Sequence, residues 1–308
     1  MLTVSQLRQT AARSGARDIG NVEIDVILTH LLQLFHETGL TKHLAFKGGS
    51  MLRKIVFGPR GRLSTDLDFT CRTHVHPDDL TLMMLDTLGR PYRGIAFRFD
   101  KDKDWYLTAD GCAANPVCSH AGNEMGIKVK LQISTREHPV LPVMSAQQID
   151  QDYFKLLPFR PTGIPCLRLE EVIAEKIRAA SQRSKIRDLH DLSELSTRPL
   201  NYNLIRSLTV YKLWCSGGQG LDFEGFRQRI QNVGNYDIGD LRNLLRKDQN
   251  PDLATMIRRV IEGFQFLNNL TDLEKTLAAD QIQRCQEEAK KLIARITPTA
   301  LPLGAETS

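Results

Sequence analysis

The stretch from His43 to Cys71 constrains this chain more than any other. His43 to Lys47 is short and apolar in its middle, breaks at Gly48-Gly49, and resumes as the helix-like run Ser50-Met-Leu-Arg-Lys-Ile-Val-Phe57. A glycine pair between two such runs punctuates the backbone, so strand, turn and helix is the natural reading. Gly58-Pro-Arg-Gly-Arg62 then reads as a loop, and Ser64-Thr-Asp-Leu-Asp-Phe-Thr-Cys71 alternates polar and apolar residues at the period of a half-buried strand. Ser64, Asp66 and Asp68 fall on its polar face.

Those residue types suit one chemistry. Phosphoryl and nucleotidyl transfer need the triphosphate charge neutralised and the attacking oxygen held in line. Two aspartates one residue apart on a strand point to the same side and can share metal ions. Gly48 and Gly49 let backbone approach phosphate closely, and the Ser50 hydroxyl at the head of the helix adds a donor. Ser50 precedes Asp66 by sixteen positions, room for a short helix and a returning strand. Alone, D-x-D also serves glycosyltransferases that use nucleotide sugars; the Gly-Gly-Ser turn argues against that reading.

The remaining pattern expects a mixed α+β half ending near residue 160. Val22 to Leu40 carries Ile24, Ile27, Leu28, Leu31, Leu32 and Phe35 on one helical stripe. Pro77 to Leu88 reads as a helix, and Tyr92 to Phe99, Trp105 to Thr108 and Gly126 to Thr135 as strands. Helices are expected beyond Pro161 over 170–181, 187–196, 202–213, 223–233, 240–246, 252–268 and 271–296, followed by a fraying tail over 297–308. Hydrophobic residues at 41% and charged residues at 25% are ordinary for a globular chain. The six cysteines form no metal-binding spacing, and no apolar run reaches membrane-spanning length, so a cytoplasmic protein with reduced thiols and no membrane partner is expected.

Three segments together resemble the AbiEii/MenT group of toxin nucleotidyltransferases within the polymerase-β superfamily. They are Phe46-Lys-Gly-Gly-Ser-Met-Leu-Arg53, Arg62-Leu-Ser-Thr-Asp-Leu-Asp-Phe69, and Leu169-Glu-Glu-Val-Ile-Ala-Glu-Lys-Ile-Arg178 followed by Arg187-Asp-Leu-His-Asp-Leu192. The resemblance implies a minimal polymerase-β-like nucleotidyltransferase domain over 1–160, with a mixed sheet, and a helical domain over 161–296 that completes the active-site cleft. It further implies a nucleoside triphosphate substrate, Mg²⁺ (or Mn²⁺) held by Asp66 and Asp68, and active-site roles for Lys176 and for Asp188 or Asp191. A cognate antitoxin and an RNA acceptor, tRNA at its 3′ end, are implied with them. In some relatives the serine matching Ser64 is a phosphorylation site.

Read from the residues themselves, Lys176 sits on the edge of the stripe Val172, Ile173, Ile177 and Ala180, where an ammonium must snorkel or find an anion. Asp188 and Asp191 fit a first helical turn, where capping alone would explain them. Ser64 faces phosphate with the two aspartates, and Lys130 is a candidate triphosphate contact. Polymerase-β enzymes usually add a third carboxylate from a neighbouring strand. The matching face here carries Lys128, Lys130, Gln132 and Ser134 and no acid. That gap keeps open an alternative, a non-catalytic nucleotide- or RNA-binding module of the same fold. Lys47, Arg53, Lys54, Arg60, Arg62 and Arg72 cluster in sequence around the site, a basic set that would guide a nucleic-acid backbone. The formal charge of +5 agrees with such a partner without requiring one, and aromatic residues at 6% leave little for base stacking.

Overall fold

A computed structural model describes residues 1–100, 103–108 and 110–299. The expected tail falls, beyond residue 299, outside the described residues. The chain forms two compact units, each discontinuous in sequence. The first comprises Met1–Pro139, Val143–Leu167 and Leu241–Asn250; the second comprises Val140–Pro142, Arg168–Asp240 and Pro251–Ser308.

In the first unit, helices α1 (Val4–Ser14) and α2 (Ile19–Glu37) lead into strand β1 (Leu44–Lys47), the short helix α3 (Gly48–Met51), strand β2 (Asp66–Cys71) and helix α4 (Pro77–Leu88). Eight strands follow: β3 (Ala96–Arg98), β4 (Trp105–Thr108), β5 (Gly111–Ala114), β6 (Val117–His120), β7 (Asn123–Lys128), β8 (Lys130–Ser134), β9 (Met144–Ala146) and β10 (Ile164–Cys166). Seven of the strands make a mixed sheet in the order β4-β5-β8-β2-β1-β10-β9, in which β2/β8 and β1/β10 run parallel. The other three, β3-β6-β7, form a small antiparallel sheet. The α+β class is as the sequence pattern expects, and the mixed sheet is as the resemblance implies.

Helix α2 is the centre of this unit. Its stripe meets the sheet, where the Phe35 ring lies 5.8 Å from Phe69, which in turn lies 5.4 Å from Phe46. Its polar side is buried too, so it is not the simple amphipathic helix that its periodicity describes. Most of the buried polar groups there find a partner. Glu23 accepts from Asn123 Nδ2 at 2.8 Å and lies 2.9 Å from His120 Nε2, Gln33 accepts from the Thr162 N–H, and Asp25 meets Lys54.

Several expected elements are divided. The run Gly126–Thr135 keeps its alternation but changes sheets at the fully buried Val129, whose N–H donates to Pro116 O at 3.0 Å. Of 92–99, only Ala96–Arg98 forms a strand, after a Tyr92–Ile95 bridge. The helix-like Ser50–Phe57 continues α3 as a wider π turn, Leu52–Phe57.

The second unit is helical: α5 (Leu169–Gln182), α6 (Ile186–Leu195), α7 (Tyr202–Ser216), α8 (Phe223–Gln231), α9 (Ile238–Arg242), α10 (Leu253–Gly263), α11 (Asp272–Ala279) and α12 (Gln286–Thr299). The run expected as one helix over 271–296 breaks into α11 and α12, because Asp280 turns inward to accept from Trp214 Nε1 at 2.9 Å and from the Cys285 N–H at 2.8 Å. α5 and α7 are joined by a fully buried ion pair, Lys212 Nζ to Glu171 at 2.8 Å, and Glu171 also accepts the N–H groups of Val140 and Leu141. Among the described residues, no helix is long and apolar enough to cross a membrane.

Candidate active site

The order strand, turn, helix and strand delivers the glycine turn to the acidic strand. β1 and β2 pair antiparallel with Lys47 opposite Asp68, and β8 pairs parallel on the other side of β2, setting Lys130 beside Asp66 and Gln132 beside Asp68. Asp66 and Asp68 are half-buried on one face of β2. Gly48 takes a left-handed conformation, φ 77°, and a Cβ there would sit 2.9 Å from the Asp68 Cβ. Ser50 is buried, and its hydroxyl donates to the Asp66 backbone carbonyl, latching the turn onto the strand. Ser64, also buried, donates to Asp66 Oδ1 at 2.9 Å and so fixes that carboxylate's orientation. Both hydroxyls act within the protein, a use the alternating pattern did not indicate.

The first unit therefore brings together Gly48, Gly49, Ser50, Ser64, Asp66 and Asp68, with Lys130 in the adjoining row. The donors suit a hard divalent cation, since Mg²⁺ is commonly held by one or two carboxylates and completes its shell with substrate phosphates and water. Neither strand neighbour of the two aspartates on this face supplies a third acid. Among the described residues, no group of three or more His, Cys, Asp or Glu is arranged to hold a metal.

The basic set expected around this site needs correction. Lys54 is fully buried, its ammonium bonded to Asp25 Oδ1 at 2.9 Å, Thr29 Oγ1 at 2.9 Å and Tyr153 Oη at 3.2 Å. Arg53 is buried beside the same aspartate and donates to Gly58 O and, at 3.0 Å, to Gly61 O. Both belong to the interior, where the π turn carries two consecutive cations towards Asp25. Arg62 is buried as well, whereas Arg60 and Arg72 are exposed.

In the second unit, Lys176, Asp188 and Asp191 are brought together. The Lys176 ammonium lies 3.0 Å from Asp188 Oδ1 and 2.8 Å from Asp191 Oδ2, with all three side chains largely buried. The lysine has found its anions within the protein instead of snorkelling. Asp188 lies in the first turn of α6 as expected, after an N-cap at Lys185 that makes no side-chain capping bond. Burial pushes the Asp188 carboxyl upward, but Lys176 and Arg183 beside it outweigh burial and hold it below the usual carboxylate range. Arg183 Nε donates to Asp188 Oδ2 at 2.9 Å. Sequence reasoning passed over Arg183 because it lies in the loop after α5, where helical periodicity assigns no face.

Comparison with known proteins gives this geometry a context. A solved structure of MenT4, a nucleotidyltransferase toxin from Mycobacterium tuberculosis, superposes with a TM-score of 0.81 at 26% identity, covering 96% of this chain and 100% of that one. JHP933 from Helicobacter pylori is similar at a TM-score of 0.49 and 19% identity, covering 82% of this chain and 96% of that one. No curated protein matches the chain. The family model for the nucleotidyl transferase AbiEii toxin of type IV toxin–antitoxin systems matches residues 30–283. The chain is thus a nucleotidyltransferase and belongs to the AbiEii toxin family of type IV toxin–antitoxin systems.

Proposed function

We propose that this toxin transfers a nucleotide from a nucleoside triphosphate to the 3′-terminal hydroxyl of tRNA, with Mg²⁺ held by Asp66 and Asp68. The acceptor oxygen attacks the α-phosphorus and loses its proton to water, the bond from that phosphorus to the bridging oxygen breaks, and pyrophosphate leaves. When bound, the metal supplies charge neutralisation for the triphosphate. The backbone of the Gly48-Gly49 turn receives phosphate, Ser50 latches that turn to β2, and Ser64 orients Asp66. Lys130 and Lys176 are the cations assigned to the triphosphate. Asp188 and Asp191 aim the Lys176 ammonium; Asp188, held below the usual carboxylate range, is better suited to orienting than to taking a proton. A tRNA so extended cannot be aminoacylated, which would inhibit translation, and a cognate antitoxin would restrain the activity.

The observation that carries this reading is the placement of two carboxylates on one strand face against a latched glycine turn. Incubating the protein with labelled nucleoside triphosphates, Mg²⁺ and total RNA tests it. A labelled tRNA band is expected from wild type and absent from Asp66→Ala, whose thermal unfolding should be little changed. Label on another RNA would move the acceptor, and equal labelling by Asp66→Ala would remove Asp66 from the chemistry.

A further inference from the structure

The loop Gly58–Leu63 enters the site with unusual fixity for an arginine- and glycine-rich segment. From one side Arg53 donates to the carbonyls of Gly58 and Gly61. From the other, the returning segment 241–250 holds it: the Leu63 N–H donates to Leu244 O at 2.8 Å, and Gln249 Nε2 donates to Arg60 O at 3.1 Å. That segment is itself tied to the amino-terminal helices by Lys247 N–H to Gly15 O at 2.7 Å and by Arg17 to the carbonyls of Lys247 and Gln249. What the clamped loop presents is Arg62. The residue is 5% exposed, Nη1 donates to Leu63 O at 3.1 Å, and a Cβ on Gly49 would lie 2.5 Å from Nη2 and 3.2 Å from both Cζ and Ser64 Oγ. The guanidinium occupies the space that any side chain at position 49 would take, against the phosphate turn and beside the serine that orients Asp66.

We infer that Arg62 is a substrate-contacting residue that binds the triphosphate at the Gly48-Gly49 turn. The inference rests on the nucleotidyl-transfer reading of that turn. Guanidinium is the cation suited to the task, because its planar fork meets two phosphate oxygens at once and it stays charged when desolvated. A loop bonded on both sides lowers the entropy lost when that fork closes on its ligand. The absent Cβ at Gly49 is what lets the fork approach the turn.

A triphosphate offers the fork phosphate oxygens that a monophosphate lacks, so the test compares ligands. Affinities of wild type, Arg62→Lys and Arg62→Met are measured for each nucleoside triphosphate and for the corresponding monophosphate in Mg²⁺, with thermal unfolding of each unliganded variant. Both substitutions should weaken triphosphate binding about tenfold or more, leave monophosphate affinity within twofold, and raise KM more than they lower kcat. Unchanged triphosphate affinity in the variants overturns the assignment, as does a parallel loss for both ligands together with a lowered Tm, the signature of a merely structural arginine. Should Arg62→Met fail to fold, Arg62→Lys still decides, since it keeps stem and charge and loses only the fork. A wild type that binds no nucleoside triphosphate would instead sink the transfer reading on which this one rests.

Discussion

Gly48 and Ser64 show how much of the site is made by residues that do no chemistry. Alanine at Gly48 would place a Cβ on an L-residue held left-handed, at a cost of about 1–2 kcal/mol, and drive it into the Asp68 side chain. Gly48→Ala should therefore lower the unfolding midpoint modestly and abolish transfer, because the carboxylate must move. Wild-type turnover in that variant would mean that Asp68 tolerates displacement. Ser64→Ala removes the bond to Asp66 Oδ1 while the strand stays paired. Loss of a group that orients a metal ligand commonly costs roughly 10- to 100-fold in metal affinity or activity. The half-saturating Mg²⁺ concentration should rise accordingly, with stability down by about 1 kcal/mol. The acidic pair and the glycine pair were legible in the sequence, since period two and glycine's freedom are local properties. The inward use of Ser50 and Ser64 was not, since a hydroxyl's partner depends on which strand lies beside it.

At the scale of elements, α2 and the π turn are bound to each other by charge. Burial pushes the Asp25 carboxyl upward, but Lys54 and Arg53 prevail and hold it below the usual range, with Tyr153 donating to Oδ2 at 2.9 Å. Removing one partner leaves a buried charge uncompensated, which costs about 3–5 kcal/mol, whereas replacing both ions by apolar groups is far milder. Lys54→Met should be destabilised by that amount in urea denaturation, and Lys54→Met/Asp25→Leu should recover a large part of it. A double variant no better than the single would show that the pair contributes shape and not charge balance. Periodicity placed α2, β1 and β2 because their apolar stripes are strong. Arg53 and Lys54 were grouped with the basic set around the site by their nearness in sequence, because nothing local reveals that Asp25, far earlier in the chain, comes to meet them. The breaks at Val129 and Asp280 escaped for the same reason: Pro116 O and Trp214 Nε1, which fix them, are long-range partners.

For the whole molecule, the least local feature is the return of residues 241–250 to the first unit. The sequence pattern over 240–246 reads as one more helix, yet α9 ends at Arg242, and Arg246 then bridges to Ala16. No periodicity reports a partner at such separation. Global stability depends on another such burial, that of His30 in the middle of α2. Its ring is fully buried, Nδ1 lies 2.9 Å from Val26 O, Nε2 meets no partner among the described residues, and Phe159 packs edge-on at 5.0 Å. Burial pushes its pKa down to about 4 from the ordinary 6.5. Between those values the unfolded chain binds a proton that the folded chain refuses, so folding stability falls as pH drops from 6.5 towards 4. The full window corresponds to about 3.5 kcal/mol, at about 1.4 kcal/mol per pKa unit. Asp25 and Asp188, whose folded values are depressed, contribute stability that is present above their ordinary value of 3.8 and is lost only below it, as pH falls through the folded values. The histidine's contribution is thereby separated from theirs in pH. Urea denaturation followed by circular dichroism at pH 7.0 and 4.5 should show wild type losing most of that amount, while His30→Leu loses about 2–3 kcal/mol less over the same interval. Equal losses in the two proteins would mean that the folded state admits the proton, and with it water, at the centre of α2.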